Sequence, residues 1–216
     1  MASSTQARTR LAIDARREQL LHAGVDLLRV RTPDEISVDD VARKAGISRG
    51  LLYHYFDDKD AFVLAVVEQA SEELRQALRC DRQLSGRERI EAAIDVFITY
   101  AEAHAAGFRA VLTGAVANRN VAALVERTRE RDLDAFVAGV AATTADPAGA
   151  RRSNVLRAAL HAHMHFMEGA IVRWLSRREI TRQQLRELIL RALEGTLAAA
   201  QAVDATAASS ATSGAE

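Results

Sequence analysis

The sequence predicts an all-α protein, and three observations support this fold class. Strand signals, meaning alternating β-branched runs bounded by turn residues, are absent. Only two prolines and eleven glycines interrupt the 216 residues, and Ala, Leu, Arg and Glu dominate the composition. Apolar residues recur every three to four positions through most of the chain, as on one face of a helix. The length allows one large helical domain, or a small domain joined to a medium one.

Composition excludes several classes of protein. The formal net charge is zero, so DNA binding would need a local arrangement of cations rather than a polybasic coat. Cys80 is the only cysteine, which excludes an internal disulfide and fits a reducing compartment. No apolar run approaches the roughly 18 residues of a membrane span, and MASSTQARTRLAIDARREQ lacks the apolar block of a signal peptide. We therefore expect a soluble, cytoplasmic protein without a cofactor or a membrane partner.

The first helix is predicted over Ile13–Val30, because apolar residues form a stripe along it. Pro33 ends this helix, since proline cannot continue the hydrogen-bond ladder. Residues 1–12 are expected to form a flexible basic arm. Its arginines either follow DNA phosphates or enter the minor groove, or they remain a solvated tail.

The second and third helices, both short, and the start of the fourth helix are predicted within SVDDVARKAGISRGLLYHYFDDKD. Ser37 is the predicted N-cap of the second helix, and Gly46 ends it in the position that favours a left-handed residue. Ser48 is expected to cap the third helix and Asp57 the fourth. Two short helices joined by a turn containing glycine form a helix-turn-helix, whose second helix enters the DNA major groove.

The start of the third helix carries residue types suited to that role. Arg49 can donate two hydrogen bonds to guanine, worth about 1–3 kcal/mol of discrimination. Gly50 allows a close approach to the groove, while Tyr53 and His54 lie one turn further along. For Arg43 and Lys44 the alternative is simple exposure to solvent. The predicted DNA-binding residues are Ser37, Arg43, Lys44, Ser48, Arg49, Gly50, Tyr53, His54 and Lys59.

This segment resembles the DNA-binding domain of the TetR family of bacterial transcriptional regulators over roughly Ile13–Val67. The residues that carry the resemblance are Ser37, Val38, Val41, Ala42, Ala45, Gly46, Ile47, Ser48, Gly50, Leu52, Tyr53, Tyr55, Phe56, Lys59 and Phe62. One departure is RTPDE, where the family commonly has a glycine after its first helix. The resemblance implies a sequence-specific regulator, by family default a repressor, that binds double-stranded operator DNA as a homodimer through its last two long helices.

The rest of the chain is predicted to be helical. The expected helices run over Asp58–Arg79, Ser85–Gly107, Phe108–Val116, Asn118–Ala142, Arg151–Ser176 and Thr181–Ala200. CDRQLSG and TTADPAGA are predicted connectors, and the tail DATAASSATSGAE is predicted to be disordered. The resulting domains are a helix-turn-helix domain over residues 13–62, a ligand-binding and dimerisation domain over 63–203, and a disordered tail over 204–216, with the fourth helix joining the two domains.

Aromatic, histidine and methionine residues in the C-terminal half suggest a ligand pocket. At 100° per residue, His163 falls on the apolar side of its helix. The residues alone favour a packed core, but the TetR resemblance implies a cavity for a small, largely apolar effector. The predicted ligand-binding residues are Phe97, Tyr100, His104, Phe108, His163, Met167, Ile171 and Trp174. A ligand-independent regulator with a solidly packed C-terminal domain remains the alternative.

Two other functional classes are disfavoured by the motifs. His161, His165 and Glu168 share the opposite side of the helix, but no HExxH motif or cysteine cluster accompanies them. We therefore expect these three residues to face an interface or solvent rather than bind a metal. The chain also has no nucleophile elbow, phosphate-binding glycine loop or paired-carboxylate spacing. We do not expect an enzyme.

Overall fold

The computed structural model describes the backbone of residues 2–79 and 86–213, and the side chains of residues 14–79 and 86–206. This part of the chain contains helices and connecting turns and no strand, which confirms the predicted all-α class. Its α-helices are α1 (Ala2–Leu27), α2 (Val38–Ala45), α3 (Arg49–Tyr55), α4 (Lys59–Leu78), α5 (Gly86–Ala103), α6 (Ala105–Leu112), α7 (Arg119–Ala141), α8 (Pro147–Arg152), α9 (Asn154–Arg177) and α10 (Arg182–Ser213), with a 3₁₀ turn at Pro33–Glu35. None of the described helices is both long and apolar enough to span a membrane.

The chain divides into two compact units. The first, here called the N-terminal unit, comprises Met1–Arg79 and Thr99–Val125, and the second, the C-terminal unit, comprises Cys80–Ile98 and Glu126–Glu216. The N-terminal unit is therefore larger than the 13–62 domain expected from the sequence. It includes all of α4, α6 and the first residues of α7.

The core of the N-terminal unit lies between α1, α2, α3 and α4. Leu20, Leu52 and Phe62 are among its fully buried side chains. Gly24 allows α1 and α4 to cross closely, because a Cβ atom there would lie 2.4 Å from Cγ2 of Val66. This core explains why α2 and α3 are stable despite their lengths of eight and seven residues: short helices depend on tertiary packing.

A second apolar cluster explains why part of the later chain belongs to the N-terminal unit. Val63 and Val67 of α4 pack with Val121 and Leu124 of α7. In addition, the Tyr100 hydroxyl donates a hydrogen bond to the α4 carbonyl of Ala70 at 2.8 Å. These contacts are made by residues far apart in sequence, so the local pattern around residue 62 did not reveal them.

The C-terminal unit is built on α7, α9 and α10. Its core contains Leu133, Val137, Leu160 and Leu193, and α9 and α10 form the most extensive helix pair. This burial removes apolar surface from water and stabilises the unit by about 25 cal/mol per Å².

The connection between α9 and α10 is held by one tryptophan. The Trp174 indole donates from Nε1 to the carbonyl oxygen of Ile180 at 2.8 Å. Arg178 adopts the left-handed conformation with φ of 53°, and its guanidinium lies 3.7 Å from the Trp174 ring centroid. The buried indole therefore has one partner at its N–H group and another over its ring.

Element boundaries differ from the sequence prediction most of all in three segments, and the break predicted near Gly107 lies at His104, between α5 and α6. The backbone is helical from Ala2 rather than Ile13, so α1 includes most of the segment expected to be a flexible arm. TTADPAGA contains the start of α8, because Asp146 caps that helix and Pro147 occupies its first turn. α10 continues to Ser213, where a disordered tail was expected over residues 204–216, because alanine favours the helix.

Other predictions for these segments concern parts of the chain outside the described residues. They include the side chains of the N-terminal arm, the connector at 80–85, and residues 214–216.

Candidate nucleic-acid interface

The start of α2 is held by its predicted N-cap. The Ser37 hydroxyl oxygen accepts a hydrogen bond from the backbone N–H of Asp40 at 3.1 Å, and the hydroxyl donates to Asp40 Oδ2 at 2.6 Å. The Ser37 hydrogen bond, together with the neighbouring Arg31 guanidinium, lowers the pKa of the Asp40 carboxyl. Asp40 is therefore held ionised at the positive end of the helix, where an anion is favoured.

The turn between α2 and α3 has the geometry expected from its glycine. Gly46 adopts φ of 67°, and its successor Ile47 donates from its backbone N–H to the carbonyl of Ala42 at 2.9 Å. This left-handed C-terminal residue ends α2 at low steric cost. Ser48 then caps α3 by accepting from the N–H of Leu51 at 3.3 Å.

α3 is anchored along one side only. Leu52 and Phe56 are buried in the N-terminal unit, and the Phe56 ring meets the Phe62 ring edge-on at a centroid distance of 5.0 Å. The remaining helix surface faces outward. Four of its exposed residues, Arg49, Gly50, Tyr53 and His54, are here called the α3 face, and Leu51 is also exposed.

The contacts within the α3 face are weak enough to exchange for contacts with another molecule. Arg49 lies 3.5 Å from Asp39 Oδ2, and its guanidinium is 5.8 Å from the Tyr53 ring centroid. Exposed ion pairs of this kind contribute about 0–1 kcal/mol. A Cβ atom on Gly50 would meet nothing within 4 Å. The fold itself therefore does not require a glycine here.

The predicted cationic contacts beside the α3 face are also exposed, and each has a partner within the N-terminal unit. Arg43 pairs with Asp40 at 3.2 Å, and Lys44 pairs with Asp26 at 3.0 Å. Lys59 donates from Nζ to the backbone carbonyl of Asp34 at 2.7 Å. All three cations remain accessible to solvent.

One capping prediction was wrong. Asp58, not Asp57, caps α4, and its Oδ1 accepts from the N–H of Ala61 at 2.7 Å. The two aspartates are adjacent, and the capping geometry requires an acceptor two to three residues before the N–H. α4 begins at Lys59, so Asp58 occupies that position.

Sequence reasoning missed Asp34, which lies beside the predicted interface. Its backbone carbonyl accepts from Lys59, and its carboxylate Oδ2 accepts from the N–H of Ala117 at 3.0 Å. Ala117 lies 83 positions further along the chain. No local pattern could have predicted this contact.

The predicted ligand-binding residues are divided between the two units. Tyr100, His104 and Phe108 belong to the N-terminal unit. The others belong to the C-terminal unit, and they are Phe97, His163, Met167, Ile171 and Trp174. Burial raises the pKa of the Tyr100 hydroxyl, and the His104 ring lies 4.3 Å from the Tyr100 ring centroid.

His163 is the most unusual of these residues. It is 4% exposed, and its ring centroid lies 6.3 Å from that of Phe136 and 5.9 Å from that of Phe166. Its buried Nδ1 has no hydrogen-bond partner within the described residues. Burial lowers the pKa of the His163 imidazole, so the side chain is held neutral.

The opposite side of α9 was expected to face an interface or solvent, and Glu168 instead forms an ion pair within its own unit. Arg129 of α7, which is 8% exposed, donates from Nη2 to Glu168 at 3.0 Å. The rings of His161 and His165 meet edge-on at 4.7 Å. Among the described residues, no group of three or more His, Cys, Asp or Glu side chains is placed to share a metal ion.

The C-terminal unit contains a cleft of about 370 Å³ beside α8, at the ends of α7 and α9. None of the predicted ligand-binding residues lines it. The Ser153 hydroxyl donates to Asp204 at 2.6 Å, and the Thr143 and Thr144 hydroxyls donate to α7 carbonyls at 2.7 and 2.8 Å. These polar groups therefore already have partners within the chain.

α9 and α10 also carry exposed apolar and small residues. Phe166 of α9 and Leu188 of α10 are exposed, the latter by 46%. Gly169 and Gly195 are exposed, and a Cβ atom on either would meet nothing within 4 Å. By contrast, Leu185, Ile189 and Leu193 of α10 are buried within their own unit, so they are not available to the homodimer contact expected of this helix.

Two family profiles match the chain in the same order as its helices. The profile described as "Bacterial regulatory proteins, tetR family" matches residues 20–66. The profile described as "Tetracyclin repressor-like, C-terminal domain" matches residues 86–194, about half of the chain. The first match contains α2 and α3, and the second contains α9 and the first part of α10.

Curated relatives and solved structures are consistent with these profiles. The HTH-type transcriptional activator FasR of Mycolicibacterium smegmatis is 32% identical over 139 residues, covering 62% of this chain and 63% of that protein. The HTH-type transcriptional regulator BetI of Stenotrophomonas maltophilia is 32% identical over 129 residues, covering 56% of this chain and 63% of that protein. The chain thus matches less than two-thirds of the length of these two relatives.

A crystal structure of a tetR-family transcriptional regulator from Streptomyces coelicolor superposes with a TM-score of 0.75 at 29% identity, covering 89% of this chain and 85% of that one. A structure of a TetR-family regulator from Rhodococcus sp. superposes with a TM-score of 0.63 at 23% identity, covering 84% of this chain and 98% of that one, and it supports the fold alone. All four of these relatives are named as regulators, not as enzymes.

Proposed function

Because the chain belongs to the TetR family of bacterial regulatory proteins, and is thus a DNA-binding transcriptional regulator, we propose a more specific function. The protein acts as a homodimeric repressor that binds double-stranded operator DNA and leaves it when a small, largely apolar effector binds. The observation that carries this proposal is the α3 face, Arg49, Gly50, Tyr53 and His54, which is exposed on a helix anchored by buried Leu52.

The α3 face reads the operator through distinct contacts. Arg49 exchanges its exposed pair with Asp39 for two hydrogen bonds to a guanine in the major groove. Gly50 permits α3 to approach the groove closely, since it presents no side chain. Tyr53 and His54 contact phosphates or base edges one helical turn further along.

Phosphate contacts position the protein on the duplex and make binding dependent on salt. Lys59, Arg43 and Lys44 are the candidate cations, because all three are exposed and belong to the same unit as the α3 face. Ser37 and Ser48 cap the N-termini of α2 and α3. There the backbone N–H groups and the positive end of the helix favour a phosphate.

Dimerisation uses the exposed sides of α9 and α10. Phe166 and Leu188 supply apolar area, while Gly169 and Gly195 allow two helices from different protomers to approach closely. A dimer places two copies of α3 in successive major grooves, roughly 34–36 Å apart, on a palindromic operator. The match to the C-terminal family profile supports this assignment.

The effector is proposed to be small and largely apolar, with at least one group that hydrogen-bonds. His163 supports this chemistry, because its buried Nδ1 has no hydrogen-bond partner among the described residues and its ring is close to those of Phe136 and Phe166. A buried polar group without a partner costs about 1–3 kcal/mol, and a ligand that bonds to it would recover that cost. An effector that prefers the DNA-free conformation by about 1–3 kcal/mol would lower operator affinity about five- to 150-fold.

Activation of transcription is the second candidate function. It is favoured by the similarity to FasR of Mycolicibacterium smegmatis, which is named a transcriptional activator. The α3 face, the dimer and the effector would serve an activator equally well. The difference lies in where the bound dimer sits relative to the promoter, which the chain itself does not encode.

A binding and transcription experiment tests these proposals. Fluorescence anisotropy should detect specific binding to a duplex from upstream of the protein's own gene, and weak binding to a scrambled duplex. In vitro transcription from the same promoter should fall when protein is added. A rise would identify an activator, and equal affinity for both duplexes would contradict sequence-specific binding. Release by a candidate apolar ligand would identify the effector class.

A further inference from the structure

The segment from α6 to the start of α7 is hydrogen-bonded to the DNA-binding helices at three points. The N–H of Gly107 donates to the carbonyl of Leu28 at 3.0 Å. The N–H of Ala117 donates to Asp34 Oδ2 at 3.0 Å, and the Asn118 amide donates to the carbonyl of Asp60 at 3.1 Å. Among these contacts, the one to Asp34 is the only one that uses a side-chain acceptor of the DNA-binding region.

Asp34 is well placed to pass this contact on to α2. It lies in the 3₁₀ turn at Pro33–Glu35, three residues before the N-cap Ser37. Ile36, which lies between Asp34 and Ser37 in the chain, is 1% exposed and anchors this backbone segment in the core. The Asp34 carbonyl also accepts from Lys59 at the start of α4. The turn before α2 is therefore tied to α4 by its backbone and to Ala117 by its carboxylate.

The connection that presents Ala117 is itself rigidly shaped. Gly114 has φ of 69° and follows the end of α6, and Ala115 donates back to the carbonyl of Ala110 at 2.9 Å. This is the hydrogen-bond pattern of a helix that ends on a left-handed glycine. A change of conformation at Gly114 would therefore move the Ala117 N–H, from which Asp34 accepts a hydrogen bond.

We propose that Asp34 is a positioning residue for DNA binding. Its carboxylate sets the orientation of α2 and α3 by holding the turn before α2 against the α6–α7 connection. The proposal rests on operator binding by this protein and adds a residue with no predicted contact to DNA. An aspartate on this surface repels phosphates, so any favourable contribution to DNA binding must act through the Ala117 hydrogen bond.

Two substitutions separate the hydrogen bond from the charge. Asp34→Asn removes the charge and keeps a side-chain oxygen that accepts from Ala117. Asp34→Ala removes both. We expect the Ala variant to bind operator about three- to tenfold more weakly than the Asn variant, as for loss of one hydrogen bond. Asp57→Ala is the matched control, because it removes an exposed negative charge nearby, and it should not weaken binding.

A double-mutant cycle tests whether Asp34 acts by transmitting the position of the connection. Gly114→Ala strains the left-handed residue and should weaken operator binding in the wild-type background. The same substitution should have little further effect when Asp34 is alanine, because the link is already broken. Gly86 also has a positive φ, of 51°, but lies in the C-terminal unit. Gly86→Ala therefore controls for backbone strain elsewhere and should not change operator affinity.

Hydrogen exchange of the Ala117 amide measures the bond without DNA. Exchange should be slow in wild type and the Asn variant and faster in the Ala variant. Equal operator affinities of the Asn and Ala variants, or additive effects in the cycle, would overturn the positioning role. If Asp34→Ala does not fold, Ala117→Pro removes the N–H donor instead. An unchanged operator affinity in that variant would likewise overturn the positioning role. Failure of the wild type to bind any operator would contradict the proposed function, while exchange at Ala117 would still report on the bond.

Discussion

α3 and α9 carry the same kinds of side chain in opposite environments. α3 presents Tyr53 and His54 to solvent, whereas α9 buries His163 and Trp174. The difference follows from the number of neighbours: α3 is covered on one side only, while α9 has core residues facing both α7 and α10. The His54 imidazole is therefore accessible to another molecule, whereas the His163 imidazole is buried in its own unit.

The two units that contain these helices also differ in the free-energy cost of their polar groups. The Arg49 pair with Asp39 is exposed and can be exchanged at little cost. His163 Nδ1 and Arg129 Nε are buried and have no hydrogen-bond partner among the described residues. The α3 face is thus free to bind another molecule, while the interior of the C-terminal unit holds polar groups that a ligand or a rearrangement would satisfy.

The largest effect should come from a charge placed on the proposed dimer face. A Cβ atom at Gly169 would meet nothing within 4 Å in the protomer, but Gly169→Arg would leave a charge in the interface, which costs several kcal/mol. We expect mainly monomer in analytical ultracentrifugation and operator affinity lower by roughly 100-fold or more. Ala135→Arg, at an exposed position of α7, should remain dimeric. If the Gly169→Arg variant remains dimeric, α9 is not part of the dimer interface.

The next effect concerns base recognition by the α3 face. Arg49→Ala should reduce the ratio of operator to random-DNA affinity by about five- to 150-fold, the equivalent of about 1–3 kcal/mol. Competition anisotropy with both duplexes measures the ratio. Arg43→Ala should weaken binding to both duplexes alike. An equal loss on both duplexes for Arg49→Ala would reassign Arg49 to a phosphate contact.

A smaller effect, on the free energy of unfolding, should distinguish the buried His163 from the exposed His54. His163→Leu removes the nitrogen without a partner and should stabilise the protein by about 1 kcal/mol at pH 8. Burial lowers the pKa of His163, so the unfolded chain takes up a proton near pH 6.5 while the folded chain does so only at lower pH. Wild type should therefore lose stability below about pH 6.5, and the variant should lack that part of the loss.

Urea denaturation at several pH values measures this difference. His54→Leu on α3 is the control, because His54 is exposed, and this substitution should not raise the free energy of unfolding at pH 8. If His163→Leu destabilises the protein at every pH, the imidazole makes a favourable contact that the buried environment does not reveal.

The smallest effect concerns one phosphate contact. Lys59→Ala should lower the slope of log Kd against log salt by about one unit, as for loss of one phosphate contact. Lys59→Arg should retain the slope, because the positive charge is kept. If the slope is unchanged in Lys59→Ala, the role of Lys59 is limited to its hydrogen bond with Asp34.

Much of the N-terminal unit could be predicted from sequence because its signals are local. Ser37 and Ser48 are confirmed as N-caps and Gly46 as the left-handed end of α2, each set by neighbours within three or four residues. The exposure of Arg49, Tyr53 and His54 follows from the helical period around buried Leu52. Asp57 was misassigned because two adjacent aspartates offer the same cap, and only the helix start distinguishes them.

Hydrophobic period and capping act over a few residues, so local patterns were enough to predict the helical class, the helix-turn-helix and the apolar side of α9. Long-range packing was needed to bring Asp34 to Ala117 and Glu168 to Arg129. The same packing buries Leu185 and leaves Leu188, three residues further along α10, exposed. The physical reason is that burial and pairing depend on which helices meet, and those contacts join residues whose separation in the chain carries no local signal.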